Sequence, residues 1–449
     1  MKKEQTGISF TGRELRDMIV PLFLEQLLVI LVGVADTLVI SYAGEAAVSG
    51  VSLVNQFNTI FIYLFTALAS GGAVIISQYI GSRDNKMAGK ASGQLLMFST
   101  VFSLVMGLGV LLGGRGMLGL LFGRVEEDVM ASCVTYLRIS AYSYPMLAVY
   151  NAGAALCRSL GKTRITMNIS FVSNIINVVG NLMGVFVLKA GVAGVAWPSL
   201  IARTVSALWI TVLCFRPQMP VRYDRRGIFC WDGSLLKKML GIAVPNGIES
   251  GVFQLTKVAL SSIVALFGTC QIAANGVAQS IWSLAALAGV AMGPVFITVI
   301  GQCMGGGNPQ AAEESFGRLL KINVAVSLGW NALILALTPL VLGCYSLEPE
   351  TKALVYWLVV IHNCFNALAF PFAGALGNGL RAAGDVKFTM YLSLFTTVAV
   401  RLVLSVVFAV WLNWGVLGIA AAMCCDWSVK GAAQYARLKK GKWKSFRLV

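Results

Sequence analysis

Apolar runs of roughly 20 to 30 residues, separated by short polar joints, fill almost the whole chain. Each run is long enough, as a helix, to cross a hydrocarbon core of about 30 Å. Twelve such runs are predicted as spans, at about 18–42, 52–79, 93–114, 133–156, 165–189, 192–215, 239–267, 275–302, 318–343, 353–378, 388–412 and 414–436. The pattern predicts an all-α polytopic membrane protein. The longest polar connection, Arg216 to Lys238, follows the sixth run and carries Pro217, Pro220, Arg222, Arg225 and Arg226. It is read as a cytoplasmic linker (216–238) between an N-lobe (1–215) and a C-lobe (239–449) that ends in a basic tail.

The two halves repeat each other. Pro21 and Glu25 recur as Pro245 and Glu249, and Gln78-Tyr-Ile-Gly81 recurs as Gln302-Cys-Met-Gly305, all at an offset of 224 residues. Gly191-Val-Ala-Gly194 and Gly415-Val-Leu-Gly418 share that offset, while Arg158-Ser-Leu-Gly161 and Arg381-Ala-Ala-Gly384 are 223 apart. A duplicated apolar chain implies two similar bundles, and an even number of spans in each makes them parallel copies related by an axis along the membrane normal.

Composition sharpens this picture. Hydrophobic residues make up 57% of the 449 residues and charged residues 12%, against about a quarter charged in soluble domains. The 47 glycines suit close helix packing in lipid. Met1 to Asp17 is polar and no small-residue cleavage site follows, so the first run is expected to remain as a span. The ten cysteines show neither C-x-x-C pairs nor histidine partners at metal spacing, and are expected to be packing residues.

Charge sets orientation. The N-terminus, the joints on its side and the C-terminal tail hold 27 of the 35 lysines and arginines; Arg115, Arg124, Arg138, Lys189 and Lys352 fall on the opposite side. The positive-inside rule then puts both termini in the cytoplasm, in the cell (inner) membrane. The net charge of +16 is mainly this topology signal. The tail from Arg437 to Lys444 is expected to touch anionic lipid head groups rather than nucleic acid.

An ionisable side chain inside a span costs about 2.5 kcal/mol or more and usually faces a cavity. The spans contain Glu25, Asp36, Arg203, Glu249, Lys257, Arg401 and Asp426, with His362 the only histidine. Asp36 falls in the outer half of the first span. Asn177 and Asn181 reach a comparable depth in the fifth, one turn apart on one face. A carboxylate with two amides could hold a proton or coordinate a sodium ion, and could also serve only as a hydrogen-bond acceptor. Glu25 and Glu249 each follow a helix proline by one turn, which suggests positions facing the space between the lobes. A Glu249–Arg401 or Glu249–Lys257 pair would spare both charges their desolvation cost, and Arg203 could pair with Asp426. His362 is either a proton relay or a hydrogen-bonded core residue. No Walker-type loop, metal cluster or nucleophile with a base stands at useful spacing, so neither an enzyme nor a cofactor is expected.

The order of these pieces resembles the MATE (multidrug and toxic compound extrusion) family over essentially the whole chain. The likeness rests on Pro21 with Val34-Ala-Asp36-Thr37, Gly44-Glu-Ala-Ala-Val-Ser-Gly50, Gln78-Tyr-Ile-Gly81 and Arg158-Ser-Leu-Gly-Lys-Thr-Arg164. The Asn177–Asn181 segment and both Gly-Val-x-Gly starts complete it. The resemblance implies a twelve-helix antiporter exporting amphipathic, often cationic compounds while H⁺ or Na⁺ enters. It maps the acid of the first helix onto Asp36 and its fifth-helix partners onto Asn177 and Asn181, where many relatives have an aspartate at the position of Asn181. Acids that some relatives use in helices seven and ten correspond to Gln254 and Phe370. The alternative is a lipid-linked oligosaccharide flippase of the same superfamily, its head group received by Lys257, Arg401 and Arg203. Small-molecule amphipathic cations and membrane lipids are the expected partners, and a monomer is the expected state.

Overall fold

Every apolar run becomes helix, because in lipid each backbone N–H and C=O must be satisfied within its own segment. The computed structural model describes residues 10–123, 126–224, 228–343, 345 and 347–449; Lys2, Lys3, Arg124, Arg225 and Arg226, which enter the charge count, lie outside them. Among the described residues the regular structure is helical throughout. The helices are α1 (Gly12–Ser41), α2 (Glu45–Gly81), α3 (Asn85–Phe122), α4 (Glu127–Ser159), α5 (Thr163–Val187), α6 (Ala193–Phe215) and α7 (Gly233–Phe267). They continue as α8 (Thr269–Ala285), α9 (Leu287–Gly305), α10 (Pro309–Gly343), α11 (Pro349–Leu368), α12 (Pro371–Ala382), α13 (Val386–Trp411) and α14 (Val416–Lys440).

These make twelve spans, because two are broken. The eighth is α8 and α9, joined through Ala286. The tenth is α11 and α12, bent by 50°. The bend falls where Pro371 withholds a backbone donor and disfavours a helical residue before it. Several helices outrun their apolar stretches: α2 has 37 residues, about 55 Å at 1.5 Å per residue, so it continues beyond the hydrocarbon. α4, less apolar than its neighbours, packs against α2, α3 and α6, and its polar atoms meet helices there instead of lipid.

The chain divides into two compact units. One is Arg16–Gly247; the other is Ile248–Val449 together with the described residues up to Leu15. The described part of the segment read from sequence as a cytoplasmic linker packs onto the N-terminal unit. Gln94 Nε2 donates to the Cys230 carbonyl at 2.5 Å, the Asp232 amide donates to Gln94 Oε1 at 3.0 Å, and Lys90 Nζ meets Asp232 Oδ2 at 2.6 Å. The unit boundary falls inside α7, not in the polar connection.

In the N-terminal unit the core gathers Phe57, Phe61 and Phe65 of α2 against Val110 of α3 and Leu137 and Tyr144 of α4. Tyr144 stacks on Phe61 at 4.7 Å and donates its hydroxyl to Asn58 Oδ1 at 2.7 Å. In the C-terminal unit Ala274, Ala278 and Ala285 of α8 let the helix approach Val355 and Leu358 of α11 and Ile419 of α14 closely.

The repeat has a step in it. Thr166-Met-Asn-Ile-Ser170 on α5 recurs as Thr389-Met-Tyr-Leu-Ser393 on α13 at 223, whereas Gly194 and Gly418 are 224 apart. One extra residue therefore lies between Ser393 and Gly418. Both helices end in a π-helical turn, Met183–Val187 and Val406–Trp411. α13 carries a second one, Thr396–Leu402, where α5 is plain α-helix. A π turn holds one residue more than an α turn and absorbs the insertion without shifting the residues beyond it. Past the helix end, Gly191 and Gly415 open the last span of each unit with φ of 55° and 56°, a left-handed conformation that glycine adopts at least cost.

Candidate functional site

In the N-terminal unit three helices bring polar side chains to one place. α5 presents Asn177 and Asn181 one turn apart, α1 contributes Asp36, and α6 contributes Ser199. Asn181 Nδ2 donates to Asp36 Oδ1 at 2.6 Å and to Asn177 Oδ1 at 3.1 Å. Asn177 Nδ2 donates to Ser199 Oγ at 2.8 Å, and that hydroxyl donates to the Val195 carbonyl at 3.0 Å. Both asparagines are buried and Asp36 is half-buried. Asn181 Oδ1 is buried without a partner. A carboxylate beside an unused amide oxygen is a donor set for a proton or a small hard cation. Arg203, one turn along α6 from Ser199, donates to Ser143 Oγ at 2.6 Å.

Glu25 belongs to a separate cluster. It is buried on α1 and accepts from Arg158 Nη2 at 2.7 Å, from Thr166 Oγ1 at 2.9 Å and from the Tyr150 hydroxyl at 3.4 Å. Its copy in the C-terminal unit is built alike. Glu249 on α7 lies 3.4 Å from Arg381 Nη1, 3.1 Å from Lys430 Nζ and accepts from Ser393 Oγ at 2.6 Å. The duplication thus preserves a glutamate–arginine tie, Glu25–Arg158 and Glu249–Arg381. Sequence reasoning noted both glutamates and both arginines as repeated but did not join them. Their matching offsets were the available signal.

The pairs expected for Glu249 are corrected. Lys257 stands eight residues along α7, about 80° round the helix and about 12 Å away along it, too far to reach Glu249. Arg401 is taken by Asp426, with Nε 3.1 Å from Oδ2. That contact also removes the expected Arg203–Asp426 pair. Arg401 lies over the Phe253 ring at 5.1 Å, a cation–π contact that offsets part of its burial. Gln254 is half-buried on α7 and takes part in none of these ion pairs. Phe370 packs on Trp427 with ring centroids 5.4 Å apart.

A cavity of about 240 Å³ lies within the C-terminal unit. Its walls include Lys257 of α7, Asn275, Gln279 and Trp282 of α8, His362 of α11 and Arg401 of α13. The sequence singled out Lys257, His362 and Arg401, but not their meeting with Asn275, Gln279 and Trp282, because the lining comes from five helices at unrelated spacings.

The MatE family model matches the chain twice, over residues 21–183 and 245–407, once in each half. "Uncharacterized transporter YisQ" of Bacillus subtilis is 26% identical over 433 residues, 94% of this chain and 93% of that protein. "Probable multidrug resistance protein NorM" of Thermotoga maritima is 24% identical over 96% of this chain and 93% of its own. Two solved structures share the fold. An outward-facing multidrug resistance MATE family transporter of the MOP superfamily matches with TM-score 0.87 and 20% identity over 96% of each chain. A MOP superfamily transporter from Pyrococcus furiosus, described as having a binding pocket of reverse polarity, matches with TM-score 0.86 and 19% identity over 95% of each.

Proposed function

From the chain's membership of the MatE family of multidrug-efflux transporters, we propose that it is a secondary antiporter that exports amphipathic small molecules in exchange for H⁺ or Na⁺ by alternating access. The observation that carries this reading is the contact of Asp36 with Asn181 and, through it, Asn177.

Asp36 exchanges the coupling ion. When the carboxylate is charged, the Asn181 amide N–H holds it. A proton on Asp36 turns it into a donor, which Asn181 meets by rotating its amide to present Oδ1. A sodium ion instead draws on the carboxylate and the amide oxygens together. Either event changes the charge tying α1 to α5, so the ion favours one conformer over the other. A 100-fold difference in ion affinity between conformers supplies about 2.7 kcal/mol of coupling. Amphipathic cations suit the N-terminal unit, where Asp36 is the acid at this depth. The cycle makes and breaks no covalent bond and needs no cofactor beyond the coupling ion, and one copy of the chain suffices. The distribution of lysine and arginine supports an inner-membrane location with both ends cytoplasmic.

A flippase for lipid-linked oligosaccharides finds less support: Arg203 and Arg401 are engaged with Ser143 and Asp426. The test is drug export from proteoliposomes under separately imposed proton and sodium gradients. Asp36→Asn is expected to abolish gradient-driven export with expression and folding intact; undiminished export would overturn the assignment.

A further inference from the structure

The cavity of the C-terminal unit has a donor-rich wall. Lys257 and Arg401 line it, and no carboxylate does. Asp426, just behind, neutralises Arg401 through their 3.1 Å contact. Among the described residues Lys257 forms no ion pair, which leaves the wall with one uncompensated positive charge. Hydrogen bonding points the same way. His362 is 2% exposed, yet its Nδ1 has no hydrogen-bond partner; Arg401, 3% exposed, has the 3.1 Å ion pair of its Nε with Asp426. The indole Nε1 of Trp282 is likewise buried and unpartnered. Arginine and tryptophan nitrogens can only donate, and leaving buried donors unmet costs about 1–3 kcal/mol each. An acceptor-rich ligand satisfies them; a cation does not and is repelled by Lys257. Phe253, Leu260 and Ile419 add apolar wall beside these groups, and Trp282 is held by stacking on Trp427 at 5.9 Å. At about 240 Å³ the space is below the 300–1,000 Å³ common for whole drug-sized ligands, so it takes one end of a larger molecule.

We propose that this cavity is a binding subsite for the anionic group, a carboxylate above all, of an amphipathic organic acid. Lys257 supplies the charge, the Arg401 and Trp282 N–H groups supply hydrogen-bond donors and direction, and the apolar wall receives the adjoining hydrocarbon. The proposal rests on the carrier reading above and goes beyond it, adding an anionic substrate class in the C-terminal unit to the cations that suit the N-terminal one. It is tested by equilibrium binding, which needs no gradient, so its failure is separable from failure of the role given to Asp36.

The experiment measures fluorescence anisotropy of two matched probes, 1-pyrenebutyrate and its trimethylammonium counterpart, on the purified full chain. The acid is expected to bind the wild type more tightly than the cation. Lys257→Gln is expected to weaken the acid at least about tenfold, as loss of a charge-assisted contact should, and to leave the cation unchanged or tighter. Lys257→Arg should retain acid binding. Because the Lys257 side chain is exposed and forms no ion pair, its removal should leave the fold intact, and a melting curve checks this. Arg401→Lys keeps the charge facing Asp426, so it tests the second cation without orphaning the acid. Equal losses for both probes, or unchanged acid affinity in Lys257→Gln, would overturn the proposal. Repeating the binding in phosphatidylcholine and phosphatidylglycerol nanodiscs separates two sources of the anion. Loss of acid binding in phosphatidylglycerol identifies a lipid head group as occupant; retained binding identifies a free organic acid.

Discussion

The two units descend from one sequence, yet at corresponding depths one presents an acid and the other cations. In the N-terminal unit Asp36 meets two amides. In the C-terminal unit the place of Asp36 is taken by Leu260, and Arg401 stands next to the register of Asn177. What both units keep is the glutamate–arginine tie near the proline of the first helix, Glu25–Arg158 and Glu249–Arg381. The lesson is a division of labour within a duplicated scaffold. The shared charges hold helices together, and the proposed ion and ligand sites fall where the copies diverge.

Transplanting the acid is the strongest way to break this comparison. If the units were interchangeable, Asp36→Leu combined with Leu260→Asp would restore ion-driven export. We expect the double variant to stay at least about 100-fold below wild type, since a displaced coupling site forfeits about 2.7 kcal/mol of differential ion binding. Transport under imposed gradients measures it.

Next in size is the difference between the two ties. Arg158→Met leaves Glu25 buried without a cation and should cost about 3–5 kcal/mol. Lys430→Met leaves Glu249 with Arg381 and Ser393 and should cost about 1–3 kcal/mol. Melting of the two variants in one detergent should keep that order; equal losses would show that the second cation on Glu249 is not redundant.

Much of this arrangement was legible beforehand. Twelve runs, a repeat and an acid with two amides at matching depth come from hydropathy and helical spacing. The partners of Glu249 were hidden because Arg381 and Lys430 lie on other helices far along the chain, where sequence separation says nothing about proximity. Lys257 invited a false pairing because eight residues along one helix look near in sequence but amount to about 12 Å of rise. Packing of the polar connection against α3 was equally hidden, since prolines and arginines between two apolar runs mark a linker without showing what it rests on.

A smaller contrast concerns helix approach. A Cβ on Gly184 of α5 would collide with the backbone of Gly194 on α6. The corresponding residue on α13 is Phe408, which packs against Trp414 with centroids 5.4 Å apart. Gly184→Ala should therefore destabilise the N-terminal unit by about 1–3 kcal/mol through overpacking. Phe408→Ala acts by loss of contact instead, and because Gly184 meets only the backbone of Gly194, no smaller side chain on α6 can relieve Gly184→Ala. Thermal melting of both variants reads the difference.

The smallest effect lies outside the membrane. Lys90 beside Asp232, with the Leu235 amide and the Ser234 hydroxyl, holds its carboxyl well below the usual carboxylate range. A depressed carboxyl stabilises the fold above its unfolded pKa and loses that contribution as pH falls through the folded value. The melting difference between wild type and Asp232→Asn should thus be constant from pH 8 to about pH 5 and shrink only in stronger acid. In the C-terminal unit Arg437 grips Asp385 through two contacts of 2.6 and 3.2 Å, and Asp385 is nearly fully buried. Asp385→Asn should lower the melting temperature more than Asp232→Asn.

The extra π turn of α13 carries a historical consequence. Inserting one codon into one copy of a duplicated gene rotates every side chain before it by about 100° relative to those after it. The π turn confines that rotation to one loop of helix, so the downstream glycines still meet their partners in register. A carboxamide face could thereby give way to a guanidinium face without rebuilding the bundle. Deleting a single residue between Thr396 and Leu402 would bring this part of α13 to the length of its counterpart in α5.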